Sequence, residues 1–462
     1  MIHMTFASLG LHEALIRALD AAGYATPTSV QAAAIPPALG GTDLMVSSST
    51  GSGKTAAFML PALARVLAAR ATSSDSRVPA TRTDSDAPPA ASRREARRER
   101  TRPTGPRVLV LAPTRELAMQ VAKAATVYGR EVPGLRVATV VGGVPYPLQI
   151  RALKGPLDVL IATPGRLLDH LGAGKAVLDH VELLVLDEAD RMLDLGFVDD
   201  IRTIAAQLPA GRQTLMTSAT FGGHVGELAR GLMRSPQRID VASHTDVHAD
   251  IEQRLHWADD AAHKDALLDR LLVSADIDQA LVFTSTQRDA DILADRLAGA
   301  GHAVASLHGG MPQGRRNRVL RGLREKHLRV LVATDVAARG IDVPTISHVI
   351  NYGLPMKPED YVHRIGRTGR AGRSGLAVTL AERFDGGMIR RIQRFTTQAI
   401  PVATLPGLEP RRPVPQPEAR RSFGERDGRG PKNGWKGGWK SDRPHGRGAR
   451  GPRPSANAAR TR

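Results

Sequence analysis

Three stretches hold side chains whose types and spacing suit one reaction on phosphate. The first is SSTGSGKT, Ser48 to Thr55, which follows an apolar run and precedes the helical stretch AAFMLPAL. Gly51 and Gly53 let backbone N–H groups approach phosphate oxygens closely, and the helix that follows adds a favourable dipole. Lys54 can reach β and γ phosphates, and the Thr55 hydroxyl can face Mg²⁺. The second is LLVLDEADRML, Leu183 to Leu193, where acids Asp187, Glu188 and Asp190 follow an apolar run. A carboxylate at Asp187 can hold Mg²⁺ through water, and Glu188 can orient a water toward a γ phosphate. The same acids also suit a helix N-terminus, and both roles can coexist. The third is HRIGRTGRAGR, His363 to Arg373, with arginines 364, 367, 370 and 373 every third residue and glycines between. That rhythm is poor for a packed helix and suits a turn presenting guanidinium groups, which bind phosphate bidentately. An arginine delivered from a neighbouring unit accelerates phosphoryl transfer by about 10³–10⁵. ATP is therefore expected in a cleft between two domains.

The elements that must position these residues repeat along the chain. Apolar runs LMVSSS (44–49), VLVLAPT (108–114), VATVVGG (137–143), VLIATP (159–164), LLVLDE (183–188) and TLMTSAT (214–220) alternate with helical stretches. A second series follows: ALVFTST (280–286), VASLHGG (304–310), VLVATD (330–335), HVINYG (348–353) and LAVTL (376–380). Near-continuous runs are buried on both faces, as in parallel strands flanked by helices. The expectation is an α/β chain of two tandem domains with mostly parallel sheets, joined near residues 238–250. Ligands of such sheets sit beyond the carboxyl ends of the strands.

The chain has 462 residues, no cysteine and a formal net charge of +18. Disulfides and thiolate metal sites are excluded. No apolar stretch approaches the roughly 20 residues of a membrane span, and MIHMTFASLG lacks the pattern of a signal peptide. A cytoplasmic protein with no membrane partner is expected. The charge sits mainly in two segments. Residues 71–106 form a Ser/Thr/Pro/Arg-rich insert, and a Gly/Arg/Pro-rich tail from about Gly407 disperses Phe423, Trp435 and Trp439 among its charges. Both read as disordered or, for the insert, as a charged helical segment. Such segments seek a polyanion, and nucleic acid fits best.

These motifs together resemble the DEAD-box RNA helicases, which have two RecA-like domains, and look most like the bacterial RhlE-type branch. The resemblance covers about residues 4–400. GYATPTSVQ (23–31) is similar to the family's Q motif, SSTGSGKT to motif I, DEAD (187–190) to motif II and SAT (218–220) to motif III. PTRELA (113–118), Gly142-Gly143 and TPGR (163–166) resemble the RNA-contacting motifs of the first domain. In the second domain, VFTST (282–286), HGGMPQGRR (308–316), ATDVAARGID (333–342) and HRIGRTGR (363–370) resemble the family's remaining motifs.

The resemblance implies RNA-stimulated ATP hydrolysis coupled to local, sequence-independent RNA unwinding, with ATP and Mg²⁺ as cofactors. It implies ATP contacts at Phe6, Tyr24, Gln31, Ser48, Ser49, Thr50, Gly51, Ser52, Gly53, Lys54, Thr55, Gly340 and Asp342. Gln31 would read adenine and Phe6 would stack on it. Thr55 and Asp187 would hold the metal, and Lys54, Asp187, Glu188, Arg367 and Arg370 would be catalytic. Asp190, Ser218, Ala219, Thr220 and His363 would couple the domains. RNA would meet Pro113, Thr114, Arg115, Gly143, Thr163, Pro164, Arg166, Thr286, Arg316 and Thr334.

The implied divisions are a Q-motif region 1–34, domains 35–238 and 251–405, a linker 239–250 and a tail 406–462. Ser48 stands where the family usually has alanine, Tyr24 where it has phenylalanine, and Gly353 where it often has an acid. The tail suits an RNA tether or a dock for ribosome-assembly or RNA-decay proteins. With only ATP and RNA to bridge them, the two domains are expected to be loosely placed without nucleotide.

Overall fold

A computed structural model describes residues 4–47, 52–75, 105–219, 221–241, 250–274, 276–338, 341, 343–369 and 373–413, with backbone alone at 72–75. These residues belong to one compact unit, Met1–Pro415. Ser48 to Gly51, most of the insert, Thr220, Gly340, Asp342, Arg370 and the tail beyond residue 413 lie outside them.

The apolar runs become two parallel sheets. The first contains β1 (Leu44–Ser47), β2 (Val108–Leu111), β3 (Val137–Val140), β4 (Val159–Ala162), β5 (Leu183–Leu186), β6 (Gln213–Ser218) and β7 (Gln237–Asp240). Its order is β3-β4-β2-β5-β6-β1-β7. The second contains β8 (Ile251–Ala258), β9 (Gln279–Phe283), β10 (Val304–Leu307), β11 (Val330–Ala333), β12 (Ile346–Asn351) and β13 (Gly375–Glu382), in the order β10-β11-β9-β12-β13-β8. Each paired neighbour is parallel.

The core explains the patterning. Alternate residues of β2, β4 and β5 divide between two apolar layers. Val108, Val110, Ile161 and Val185 join the helices Ser29–Leu39 and Lys54–Asp75 on one face. Leu109, Leu111, Leu160 and Leu184 join the helix Val198–Ala205 on the other. The second sheet is sandwiched the same way. Burial on both faces removes the polar alternation of a half-exposed strand.

Two boundaries differ from the sequence reading. Residues 237–240, expected at the start of the linker, form edge strand β7 against β1, in register Leu44 to Gln237. Only Ile239 of QRID is buried, so the apolar signal is a single residue. The start of the expected tail is tied down. The backbone N–H groups of Arg411 and Arg412 donate to the Asp259 carboxylate at 2.9 Å, and Leu408 O lies 3.0 Å from His263 Nε2.

Candidate nucleotide and RNA cleft

The phosphate loop is braced by the Q-motif segment. Thr28 caps the helix Ser29–Leu39 in a reciprocal box: its N–H donates to Gln31 Oε1 at 2.9 Å, and its hydroxyl accepts from Gln31 N at 3.4 Å. The same two side chains then reach the loop. Thr28 Oγ1 donates to Ser52 O at 2.8 Å, and Gln31 Nε2 donates to Gly53 O at 3.2 Å. Gly53 has φ +92°, and a Cβ there would stand 2.3 Å from Gln31 Nε2. Glycine at 53 is thus required by its backbone and by the close approach of glutamine. The amide of Gln31 has two donors and two acceptor sites, so these bonds leave capacity for a base.

Phe6 departs from expectation. Its ring is 3% exposed and packs in the core of the first lobe with Leu9 and Leu15. Tyr24 is partly open and meets Tyr128 edge-on, with centroids 5.8 Å apart.

Lys54 opens the helix Lys54–Asp75, and Thr55 follows. Burial pulls the Lys54 ammonium below its usual range, while Glu188 and Asp187 pull it back up and Arg367 pushes it down. The acids stand at the end of β5. Asp187 is 3% exposed. Burial and then the charge of Glu188 push its carboxyl up to about 6. Thr217 of β6 bridges the pair: its hydroxyl donates to Asp187 Oδ1 at 2.6 Å and accepts from Glu188 N at 3.0 Å. Sequence reasoning missed Thr217; its sole signal was its place directly before Ser218-Ala219-Thr220. Glu188 itself has φ +53° and ψ +57°. A left-handed glutamate costs of order 1–3 kcal/mol and marks a place where orientation matters.

Asp190 faces the second lobe. Its carboxylate accepts from Ala219 N at 3.1 Å and lies 3.9 Å from His363 Nε2, an electrostatic contact too long for a hydrogen bond. Burial alone would raise the Asp190 carboxyl, yet the facing His363 and then Arg191 hold it well below the carboxylate range. Burial and then Arg191 lower the His363 imidazole. Ser47 Oγ donates to Ala219 O at 3.1 Å, so the SAT segment is clasped to the strand that leads into the phosphate loop.

The arginine repeat splits into different roles. Arg364 is not presented to a ligand. It is 2% exposed at the end of the helix Pro358–Ile365. There it holds Asp335 with two bonds of 2.6 and 2.8 Å and reaches Asn351 Oδ1 at 3.2 Å and Gly353 O. Its guanidinium also stacks over Phe283 at 4.8 Å. Arg367, one turn on, turns to the cleft and donates to Ile341 O at 3.1 Å.

Gly353 has a steric reason. A Cβ would stand 2.6 Å from Ser285 Oγ and 2.9 Å from Ser285 N, the latter backbone. Gly353→Asp is expected to destabilise the protein by about 1–3 kcal/mol, read as a lower denaturant midpoint in urea. An unchanged midpoint would refute that packing argument.

The expected RNA residues occupy strand-to-helix junctions. Thr114 caps the helix Arg115–Tyr128, accepting from Leu117 N at 3.3 Å. Thr286 caps the helix Gln287–Gly299, accepting from Asp289 N at 3.1 Å. Thr163 precedes the helix Pro164–Gly172, and Thr334 precedes Asp335–Ala338. Helix N-termini with free N–H groups bind phosphate. Arg115 braces this ground by donating to Gly142 O at 3.0 Å. Arg166 lies 3.4 Å from both Val144 O and Asp169 Oδ2. Gln149, buried and missed from sequence, accepts from Val141 N at 3.0 Å and donates to Val144 O at 2.9 Å, fixing the loop that holds Gly143.

Arg316 is engaged by protein. It pairs with Glu116 of the first lobe at 2.9 Å and donates to His308 O at 3.2 Å. Arg191 pairs with Asp360, both nearly buried, and Lys357 pairs with Asp194. The lobes are thus joined by their own ion pairs, where the sequence pointed only to ligand bridges. Arg191→Asp is expected to raise the RNA concentration for half-maximal ATPase stimulation at least about tenfold, since breaking a buried pair strands a charge. Arg191→Asp with Asp360→Arg should recover much of it. Equal defects in single and double variants would contradict the pairing.

Among the described residues no three His, Asp or Glu side chains gather as a metal cage, and no helix is long and apolar enough to cross a membrane. The oxygen donors of Thr55 and Asp187 suit a hard cation shared with phosphate and water. The raised Asp187 carboxyl shows an electrostatic deficit that such a cation would relieve.

Residues 28–228 match the DEAD/DEAH box helicase family, and residues 263–372 match the helicase conserved C-terminal domain. The chain is 40% identical over 405 residues to the ATP-dependent RNA helicase DeaD of Escherichia coli K12. That match takes in 88% of this chain and 59% of DeaD, so the chain spans less than two thirds of that relative. It is also 40% identical over 412 residues to the ATP-dependent RNA helicase SrmB of the same organism, covering 89% of this chain and 86% of SrmB. Its fold is similar to that of Saccharomyces cerevisiae Dbp5 bound to RNA and ADP BeF3. That likeness has a TM-score of 0.72 at 28% identity, over 86% of this chain and 95% of Dbp5. Two parallel-sheet lobes, a braced phosphate loop, an acid pair on β5 and 40% identity to SrmB across most of both chains place this chain in the DEAD/DEAH box helicase family.

Proposed function

We propose that the protein is a cytoplasmic ATP-dependent RNA helicase, hydrolysing ATP to ADP and phosphate under RNA stimulation and using the cycle to separate short RNA duplexes. The observation that carries this is the meeting, across one cleft, of Lys54 and the Asp187–Glu188 pair from the first lobe with Arg367 from the second. The first lobe takes in the Q-motif segment and runs through β7, and the second runs from β8 to Arg412.

Gln31 holds Gly53 and reads the base. Lys54 draws the β and γ phosphates toward its ammonium. Glu188 orients the attacking water and accepts its proton. Arg367, with Arg370, stabilises charge on the transferring phosphoryl group. Thr55 and Asp187 would hold Mg²⁺, which when bound neutralises phosphate charge. Thr217 keeps Asp187 and Glu188 in fixed relation. Asp190, the SAT segment and His363 report the state of the nucleotide site across the cleft.

RNA lies along the helix N-termini at Thr114, Thr163, Thr286 and Thr334, flanked by Arg115, Gly143 and Arg166. Contacts to backbone phosphate carry no sequence information, which supports low sequence specificity. The tail beyond residue 413 adds a basic tether to RNA or to a ribosome-assembly or RNA-decay protein.

Duplex separation tests this reading. A short RNA duplex with a single-stranded RNA or DNA loading strand is mixed with protein and ATP. Separation on the RNA strand that needs hydrolysable ATP is expected. Equal separation without ATP, or on DNA alone, would overturn it.

A further inference from the structure

The helix Gln313–Arg324 buries Val319, Leu320 and Leu323 against the second sheet and turns arginines outward. Arg315, Arg318, Arg321 and Arg324 are all exposed, and from Arg296 through Arg324 the chain has no acid. Among the described residues none of the four makes an ion pair. Glu325 caps the carboxyl end of the helix beside Arg324, and Asp291, which is held by Ser306 and His308, attracts Arg315 electrostatically. Spaced three residues apart, the four wind half a turn around the exposed side of the helix over about 13 Å of its length.

The row starts at the RNA cleft. At the amino end of the helix, Arg316 and Gln313 contact Glu116, the second residue after Thr114. A Cβ on Gly143 would meet Gln313 Cγ at 3.3 Å, so this helix end also borders the glycine loop. The row then leads away from the cleft over the second lobe. Its outward face exposes arginine, asparagine and glycine and no large apolar side chain. A protein-docking face centres on apolar or aromatic anchors, and this one has none.

We propose that Arg315, Arg318, Arg321 and Arg324 form a second phosphate-binding track, which holds the RNA strand as it continues out of the cleft. The inference rests on the RNA-binding reading above. The track extends the footprint without touching the nucleotide site. It therefore changes affinity for long RNA and leaves the chemistry on a short strand alone.

The test compares the full chain with a variant carrying Arg315→Gln, Arg318→Gln, Arg321→Gln and Arg324→Gln. One probe is the shortest oligouridylate that fully stimulates wild-type ATP hydrolysis; the others are lengthened stepwise at either end. Affinity is measured against salt, with Arg318→Glu alone as a milder second variant. Wild type should gain affinity with length, and the quadruple variant should not. The variant's salt slope on long RNA should fall by about 2–3, at roughly 0.7 for each phosphate released. Short-probe affinity and kcat should match wild type. An identical length gain and salt slope in both proteins would overturn the track and leave the row to an acidic protein partner. If no oligouridylate of any length stimulates wild-type hydrolysis, the helicase reading fails, while the length series still judges the track.

Discussion

Replacing Arg367 by alanine is expected to lower the RNA-stimulated kcat for ATP hydrolysis by about 10³–10⁵, with ATP affinity much less changed. The side chain is 7% exposed and held by Ile341 O and by His363 O at 3.1 and 3.3 Å. Its guanidinium acts electrostatically on Lys54 across the cleft. A permanently charged group pre-placed in a dry site needs no reorganisation as charge moves onto the leaving oxygen. Arg364 is no substitute, because Asp335, Asn351 and Gly353 already occupy it. Arg367→Lys should recover little, since an ammonium lacks the fork. Stopped-flow phosphate release on wild type and both variants checks this. A loss below about tenfold would remove Arg367 from the chemistry.

Glu188→Gln should abolish most hydrolysis, by about 10²–10⁴, while ATP and RNA still bind. Glutamine preserves size and the left-handed backbone with φ +53°, and it removes the proton acceptor. The neighbouring bridge through Thr217 Oγ1 uses the Glu188 backbone N–H, so it survives the substitution. The variant should therefore hold RNA in the presence of ATP and release it slowly. Filter binding of labelled RNA with ATP, beside phosphate release, reads both effects. Loss of ATP binding together with hydrolysis would assign Glu188 a structural role.

Much of this architecture was legible because the physics is local. VLVL, VLIA and LLVL are apolar at every position, and each is buried at every position of β2, β4 and β5. The placement of Asp187 and Glu188 at the end of β5 was legible for a related reason, as residues close in sequence lie at one strand end. What the sequence hid depends on partners distant along the chain. Arg191 and Asp360 are 169 positions apart, and Arg316 and Glu116 are 200 apart. Nothing local separates Arg364, buried on Asp335, from Arg367, turned to the cleft. Thr217 looked like one more strand residue, and Phe6 like an aromatic placed to stack on a base, until the core closed around them. Strand β7 hid because an edge strand needs only one buried side chain.

The central claim is that the hydrolytic site is built from both lobes. The most direct test is ATP hydrolysis with and without single-stranded RNA, measured side by side for wild type, Glu188→Gln in the first lobe and Arg367→Ala in the second. The account predicts RNA stimulation in wild type and none in either variant, with ATP binding retained in both. Full stimulation in Arg367→Ala would contradict it, because hydrolysis would then belong to the first lobe alone.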